Sequence, residues 1–172
     1  MRIAPITPGT RPELAPLEAR IAQARGRISP LYQLLLNSPP MAEGWEQLLS
    51  AVRNRNTLPA DVRELVILRV AVLNGAPYEF DAHVPHARAA GVPDAVIEAL
   101  RLPSIDALAG LNDVQSLALR LTDQMTREIQ VEPALMDQLA SSMDERQLLD
   151  LVVTIAAYNM VSRLLVALEV GH

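Results

Sequence analysis

The chain has 172 residues, a formal net charge of −5 and an isoelectric point near 5.2. It is long enough for one domain with a substantial core, and its acidic balance gives no electrostatic reason to expect nucleic acid or an anionic membrane as a partner. It contains no cysteine and no lysine, which excludes disulfides, thiol catalysis, thiolate metal sites and Schiff-base chemistry.

Residues 1–11 are predicted to form an arm outside the helical domain. This segment holds two prolines and a Pro-Gly-Thr turn signal, and it has no apolar run of signal-peptide length. We therefore expect a cytoplasmic protein with a single helical domain over residues 12–172. The arm is expected to lie on the surface or on a neighbouring subunit.

Helical periodicity begins at Pro12, and no strand pattern interrupts it before the end of the chain. A first helix is predicted from Pro12 to about Gly26, and a short second helix from the Ser29 cap to just before Pro39. A third helix ends at the polar residues 54–57. Its apolar face consists of Trp45, Leu48, Leu49 and Val52.

Two helices are predicted to form a tight hairpin in the middle of the chain. The first runs from Pro59 to Gly75, and the second runs from Pro77 to Gly91. Proline just inside the start of a helix and glycine just past its end are typical of true helix termini. The corner of the hairpin is therefore expected at residues 74–77.

The remaining helices complete the predicted fold. They are expected from Pro93 to about Leu102, at 113–127, at 133–141 and, after an Asp144 cap, along an apolar segment to residue 169. A loop through Gly110 separates the first of these from the second. The whole pattern predicts an all-α helical bundle.

The helix at 59–75 and the last helix are apolar on nearly every side. Such helices need partners all round, which a small monomer rarely supplies twice, so we expect a homo-oligomer. The alternative is a single well-filled core. The last helix is also long enough to cross a membrane, but Asp150 and Arg163 make insertion costly, so no membrane span is predicted.

Glu79 and His83 are the candidate acid–base residues of the second hairpin helix. They are four residues apart and therefore share a helix face, where a carboxylate raises the affinity of an imidazole for a proton. Glu64 lies in an apolar run of the first hairpin helix, where a buried carboxylate needs a partner. That partner is either His83 across the hairpin or a structural arginine: Arg63, Arg69 or Arg163.

A metal site made by Glu79, His83 and His86 is disfavoured. Three ligands within little more than two helical turns are crowded, and no second, distant pair supports them. The simplest interpretation of His86 is a solvated surface residue. We therefore expect no metal and no other cofactor.

Two segments resemble the carboxymuconolactone decarboxylase family, which shares a fold with AhpD-like alkylhydroperoxidases. They read ELVILRVAVLNGAPYEFDAHVPHARAAGV and, near the end of the chain, IAAYNMVSRLLVAL. The resemblance covers most of residues 40–170. It implies an AhpD-like all-α bundle that assembles as a dimer, trimer or hexamer.

The peroxidase branch of this fold carries a glutamate, a Cys-x-x-Cys pair that begins twelve residues later, and a histidine four residues after the second cysteine. These positions fall on Glu64, Ala76, Glu79 and His83. Both sulfurs are missing, so the resemblance does not imply thiol peroxidase activity. The glutamate and the histidine of the proton relay remain.

Cysteine-free members of the family often have Tyr-Glu-Trp before the histidine, where this chain has Tyr78, Glu79 and Phe80. The amides at this helix start are expected to be free donors for a substrate carboxylate or a developing enolate, and Tyr78 adds a hydroxyl donor. Asn159 and Arg163 of the last helix are candidates to reach the same cavity, or to pair across a subunit boundary.

The sequence therefore predicts a cofactor-free lyase that decarboxylates a small carboxylate or lactone. Without lysine, thiol or metal, its substrate must supply its own electron sink, as a β-keto acid or an enol lactone does. His83 is expected to transfer the proton while Glu64 or Glu79 orients its ring. Two alternatives remain: a non-redox hydrolase, isomerase or hydratase that uses the same site, and a non-catalytic helical oligomer that binds a ligand.

Overall fold

The computed structural model describes residues 1–105 and 108–171. The structure is 69% helical, and the described residues contain no strand, so the predicted all-α class is confirmed. Residues 106 and 107 of the predicted loop, and the last residue of the predicted domain, lie outside the described residues. The α-helices are α1 (Ala15–Arg25), α2 (Pro30–Leu35), α3 (Pro39–Asn54), α4 (Ala60–Leu73), α5 (Pro77–Ala89), α6 (Asp94–Ala99), α7 (Asp113–Arg127), α8 (Pro133–Ser142) and α9 (Glu145–Ala167).

The helix ends follow the proline and glycine signals, with two differences. The first predicted helix opens as a 3-10 turn, Pro12–Leu14, before α1 begins. α6 ends at Ala99 instead of near Leu102, and the chain continues in tighter turns, in which the amides of Arg101 and Leu102 each donate at 3.1 Å to the carbonyl three residues earlier.

The chain divides into two compact units. The first consists of Met1–Arg55 and the residues from Ala167 onward, and the second is Asn56–Val166. In the first unit, the predicted arm packs on α2, since Ile6 is buried and its amide donates to the Gln33 carbonyl at 2.9 Å. The domain boundary predicted at residue 12 stays a prediction.

The second unit is built around α4, which packs against α5 and α7. Every residue of α4 from Val62 to Ala71 except Arg63 is buried. The core that α4 forms with its neighbours includes its own Leu65 and Leu68 together with Phe80, Leu100 and Leu119. Because α4 is enclosed, the charged side chains that it carries must find partners inside the protein.

The long helix α9 is only partly enclosed by its own chain. Ile155 and Tyr158 are buried, whereas Leu149, Val153 and Met160 are exposed. By length and composition α9 is apolar enough to cross a membrane, and 50% of its most apolar window is buried inside the protein. A core helix of a globular protein can pass the same test of length and composition, so this finding is weak evidence for a membrane span.

Candidate proton-transfer site

The corner between α4 and α5 brings the candidate residues together. α4 ends at Leu73, and Gly75 just beyond it has a left-handed φ of +64°. The Ala76 amide donates to the Ala71 carbonyl at 2.8 Å and the Gly75 amide donates to the Val72 carbonyl at 3.1 Å, which together form a Schellman cap. Pro77 then occupies the first position of α5, where no amide donor is needed. The chain therefore reverses direction at the predicted corner.

Glu64 of α4 and His83 of α5 meet across this hairpin. Glu64 Oε2 lies 2.6 Å from His83 Nδ1, and the two side chains are only 3% and 5% exposed. Arg63 Nε donates to the other Glu64 oxygen at 3.3 Å. Glu64 thus binds both the histidine and one of the three arginines considered from the sequence, whereas Arg69 pairs with Asp123.

Glu79 holds the other nitrogen of the same imidazole. Its Oε1 lies 3.3 Å from His83 Nε2, one helical turn along α5. Each ring nitrogen therefore faces a carboxylate, and the contact to Glu64 is the closer one. An imidazolium satisfies this arrangement best, because it donates from both nitrogens.

The protonation of His83 follows from this geometry. Burial lowers the pKa of His83, but the hydrogen bonds to Glu64 and Glu79 raise it by more, so it lies above its ordinary value of 6.5. The raised pKa favours the protonated form of His83. The charges of His83 and Arg63 together balance those of the two carboxylates.

Tyr158 of α9 is a site residue that the sequence analysis did not select. It is fully buried, and its ring meets the His83 ring edge to face, with centroids 5.2 Å apart and planes at 90°. The contact restricts the orientation of the imidazole. The available signal was that Tyr158 is the single aromatic residue of α9, inside the second of the segments that carry the resemblance.

His86 stands beside the buried histidine. It is exposed, as predicted, and its ring centroid lies 5.5 Å from that of His83, with a tilt of 53° between the planes. Within the described parts of the chain, no group of three His, Cys, Asp or Glu side chains is placed to hold a metal ion.

Comparison with known proteins places this site in a family. Residues 39–122, which include Glu64, Glu79 and His83, match the carboxymuconolactone decarboxylase family. These residues belong to that family. The family predicted from the sequence is confirmed over this segment, and the sequence contains no cysteine. No curated protein matches the chain in sequence.

Solved structures with the same fold confirm the predicted AhpD-like architecture of this chain. An uncharacterized peroxidase-related protein from Silicibacter sp. TM1040 has a TM-score of 0.80 at 18% identity, over 96% of this chain and 87% of that one. A cysteine-to-alanine variant of the debrominase Bmp8, solved with 2,3,4-tribromopyrrole, has a TM-score of 0.80 at 16% identity, over 98% and 90%. A putative antioxidant defence protein AhpD from Agrobacterium tumefaciens has a TM-score of 0.71 at 18% identity, over 80% and 94%.

The start of α5 differs from the expectation. The amides of Glu79 and Phe80 both donate to the Ala76 carbonyl at 3.1 Å, so the expectation that they are free donors is wrong. The first turn closes on itself because the carbonyl before Pro77 is available to accept. Tyr78 is half-buried, whereas Phe80 is a core residue that lies 3.8 Å beneath the Arg101 guanidinium. The predicted roles of Tyr78 and Phe80 in substrate binding stay predictions.

Asn159 belongs to a separate buried network. Its Oδ1 accepts from Asn74 Nδ2 at 2.9 Å, and its own Nδ2 donates to Thr126 Oγ1 at 3.0 Å and to the Ile155 carbonyl at 3.1 Å. Arg163 is exposed in the single chain. Substrate binding by these two residues stays a prediction, as does the pairing of Arg163 across a subunit boundary.

Proposed function

We propose that this chain is a cofactor-free decarboxylase of a small carboxylate or lactone, in which His83 is the proton donor. The observation that carries the proposal is a buried imidazole held between two carboxylates, with Glu64 at 2.6 Å and Glu79 at 3.3 Å. Decarboxylation ends with protonation of an enolate, so it needs an acid that is already protonated when the substrate binds. The raised pKa of His83 supports this role, because it favours the protonated imidazole.

The reaction balances without a cofactor. The bond to the leaving carboxylate breaks, and its electron pair enters a carbonyl or enone of the substrate itself. The resulting enolate carbon takes the proton from His83 Nε2, the nitrogen that is held less tightly. Glu64, anchored by Arg63, orients the ring through Nδ1. Each turnover thus converts one carboxylate and one proton into carbon dioxide and a C–H bond.

The comparisons support a small substrate. The Bmp8 variant holds 2,3,4-tribromopyrrole, a compact planar ring, in a protein of the same fold. A lactone or a short β-keto acid is of similar size. The chain cannot use a thiol as a nucleophile or reductant, because it has no cysteine.

The test is turnover of a panel of β-keto acids and carboxylated lactones in D₂O. We expect release of carbon dioxide with one deuterium at the vacated carbon, and a rate lower by ~10² to 10⁴ in the His83→Gln variant. Asp81→Asn, an exposed change on the same helix, is the matched control and should keep the rate. Hydrolysis or isomerisation without carbon dioxide, or binding without turnover, would overturn the proposal in favour of the two alternatives.

We further propose that the chain works as a homo-oligomer, in which a second copy covers one face of α9. The residues of that face follow one another at intervals of four and three positions, so they lie on one side of the helix, and all of them are exposed: Leu149, Val153, Ala156, Met160 and Arg163. An exposed aliphatic stripe on a helix marks a surface for another protein. Arginine within such a stripe is typical of interfaces, where it is enriched over lysine.

A further inference from the structure

A decarboxylase consumes one proton in each turnover, so His83 must regain a proton from solvent. Its side chain is only 5% exposed, and each ring nitrogen faces a carboxylate. His86 is exposed and lies one turn further along α5, with its ring centroid 5.5 Å from that of His83. Imidazole exchanges protons near neutral pH, which suits a carrier between solvent and a buried acid.

We propose that His86 is a proton-relay residue that returns a proton from solvent to His83. In the relay, an N–H bond of protonated His86 breaks as an N–H bond forms on neutral His83, directly or through one bridging water. His86 then takes up another proton from bulk water. No electron changes hands, so the step requires no co-reactant. This inference rests on the proposed role of His83 as the proton donor.

The other groups around His83 are less suited to this task. Glu64 is 3% exposed and bound to Arg63, and Glu79 is 8% exposed. Tyr158 is fully buried, and a phenol ordinarily holds its proton until about pH 10. Among Glu64, Glu79, Tyr158 and His86, only His86 is exposed, whereas the other three are buried.

The relay is tested without substrate by proton NMR of the His83 ring N–H groups. These protons are held by carboxylates and shielded from water, so their exchange with solvent is measurable as a function of pH. In His86→Ala the exchange should slow by about tenfold or more, and free imidazole added to the solution should restore it. Asp81→Asn, also exposed on α5, should leave the rate unchanged.

Unchanged exchange in His86→Ala would overturn the relay. Slower exchange that imidazole does not restore would also overturn it, because it would mean that His86 acts through local structure. Circular dichroism and a thermal melt check that the variant folds. The exchange experiment uses no substrate, so a failed decarboxylation assay would not change its result. Unchanged exchange would exclude the relay, but it would not decide whether His83 is the proton donor, which the turnover assay tests.

Discussion

Arg69 of α4 and Asp123 of α7 form a bidentate ion pair, in which the guanidinium Nε and Nη2 each lie 2.7 Å from a carboxylate oxygen. Arg69 is fully buried. It also donates to the carbonyls of Leu100, Leu102 and Pro103. One side chain therefore joins α4, α7 and the segment after α6.

Replacing Arg69 by methionine should lower the free energy of unfolding by about 3–5 kcal/mol, because the carboxylate and the carbonyls lose their donor inside the protein. Urea unfolding measures the loss. Arg127→Met is the matched control, since Arg127 contacts the same carboxylate at 3.5 Å but is 48% exposed. Its loss should stay below about 1 kcal/mol. Equal losses in the two variants would contradict this account.

Stability should fall as the pH rises above neutrality. The pKa of His83 is raised above 6.5 in the folded state. The stabilisation that the charged imidazolium adds to the free energy of unfolding is therefore complete below pH 6.5, and it is lost as the pH rises through the raised pKa. Urea midpoints measured across this range should decline for the wild type. His83→Gln should flatten the decline, whereas His86→Gln should keep it. A His83→Gln variant with the wild-type slope would show that another group is responsible.

The carboxylates of Glu64 and Glu79 should raise the pKa of His83 by different amounts. Glu64→Gln should lower the pKa of His83 by more than Glu79→Gln does, because Glu64 lies 2.6 Å from the ring and Glu79 lies 3.3 Å away. Glutamine keeps the shape of each side chain and removes its charge. NMR titration of the His83 ring carbons measures both values. A larger drop in Glu79→Gln would reverse the assignment of the orienting residue.

The exposed face of α9 should hold the oligomer together. Sedimentation equilibrium at micromolar concentration is expected to show an oligomer for the wild type. Val153→Asp should dissociate it, because the change places a charge in an apolar interface. Gln138→Asp, on the exposed side of α8, is the control and should leave the mass unchanged. A stable wild-type monomer would exclude the interface.

Peroxide turnover should be undetectable with any thiol reductant. A peroxidase of this fold needs one thiolate to attack the peroxide and a second thiol to resolve the product, and the chain has no cysteine. Loss of peroxide is followed against a protein-free blank. A rate above that blank would point to a chemistry outside this account.

Local signals were sufficient for the hairpin and for half of the site. Pro77 and Gly75 place the corner, since proline suits the first turn of a helix and glycine suits the left-handed residue after its end. The four-residue spacing of Glu79 and His83 then places both on one face of α5, whatever the helix packs against. The family pattern added Glu64 to the same set.

Only the tertiary structure decided which partner each buried charge takes. The sequence offered one histidine and three arginines as candidate partners for Glu64. In the folded protein Glu64 contacts His83 and Arg63, whereas Arg69 pairs with Asp123. Tyr158 reaches His83 from a helix far along the chain. Helical periodicity determines which face a residue occupies, because backbone hydrogen bonds are local. Which faces meet depends on how side chains of distant helices fill a common core, and no short stretch of sequence contains that information.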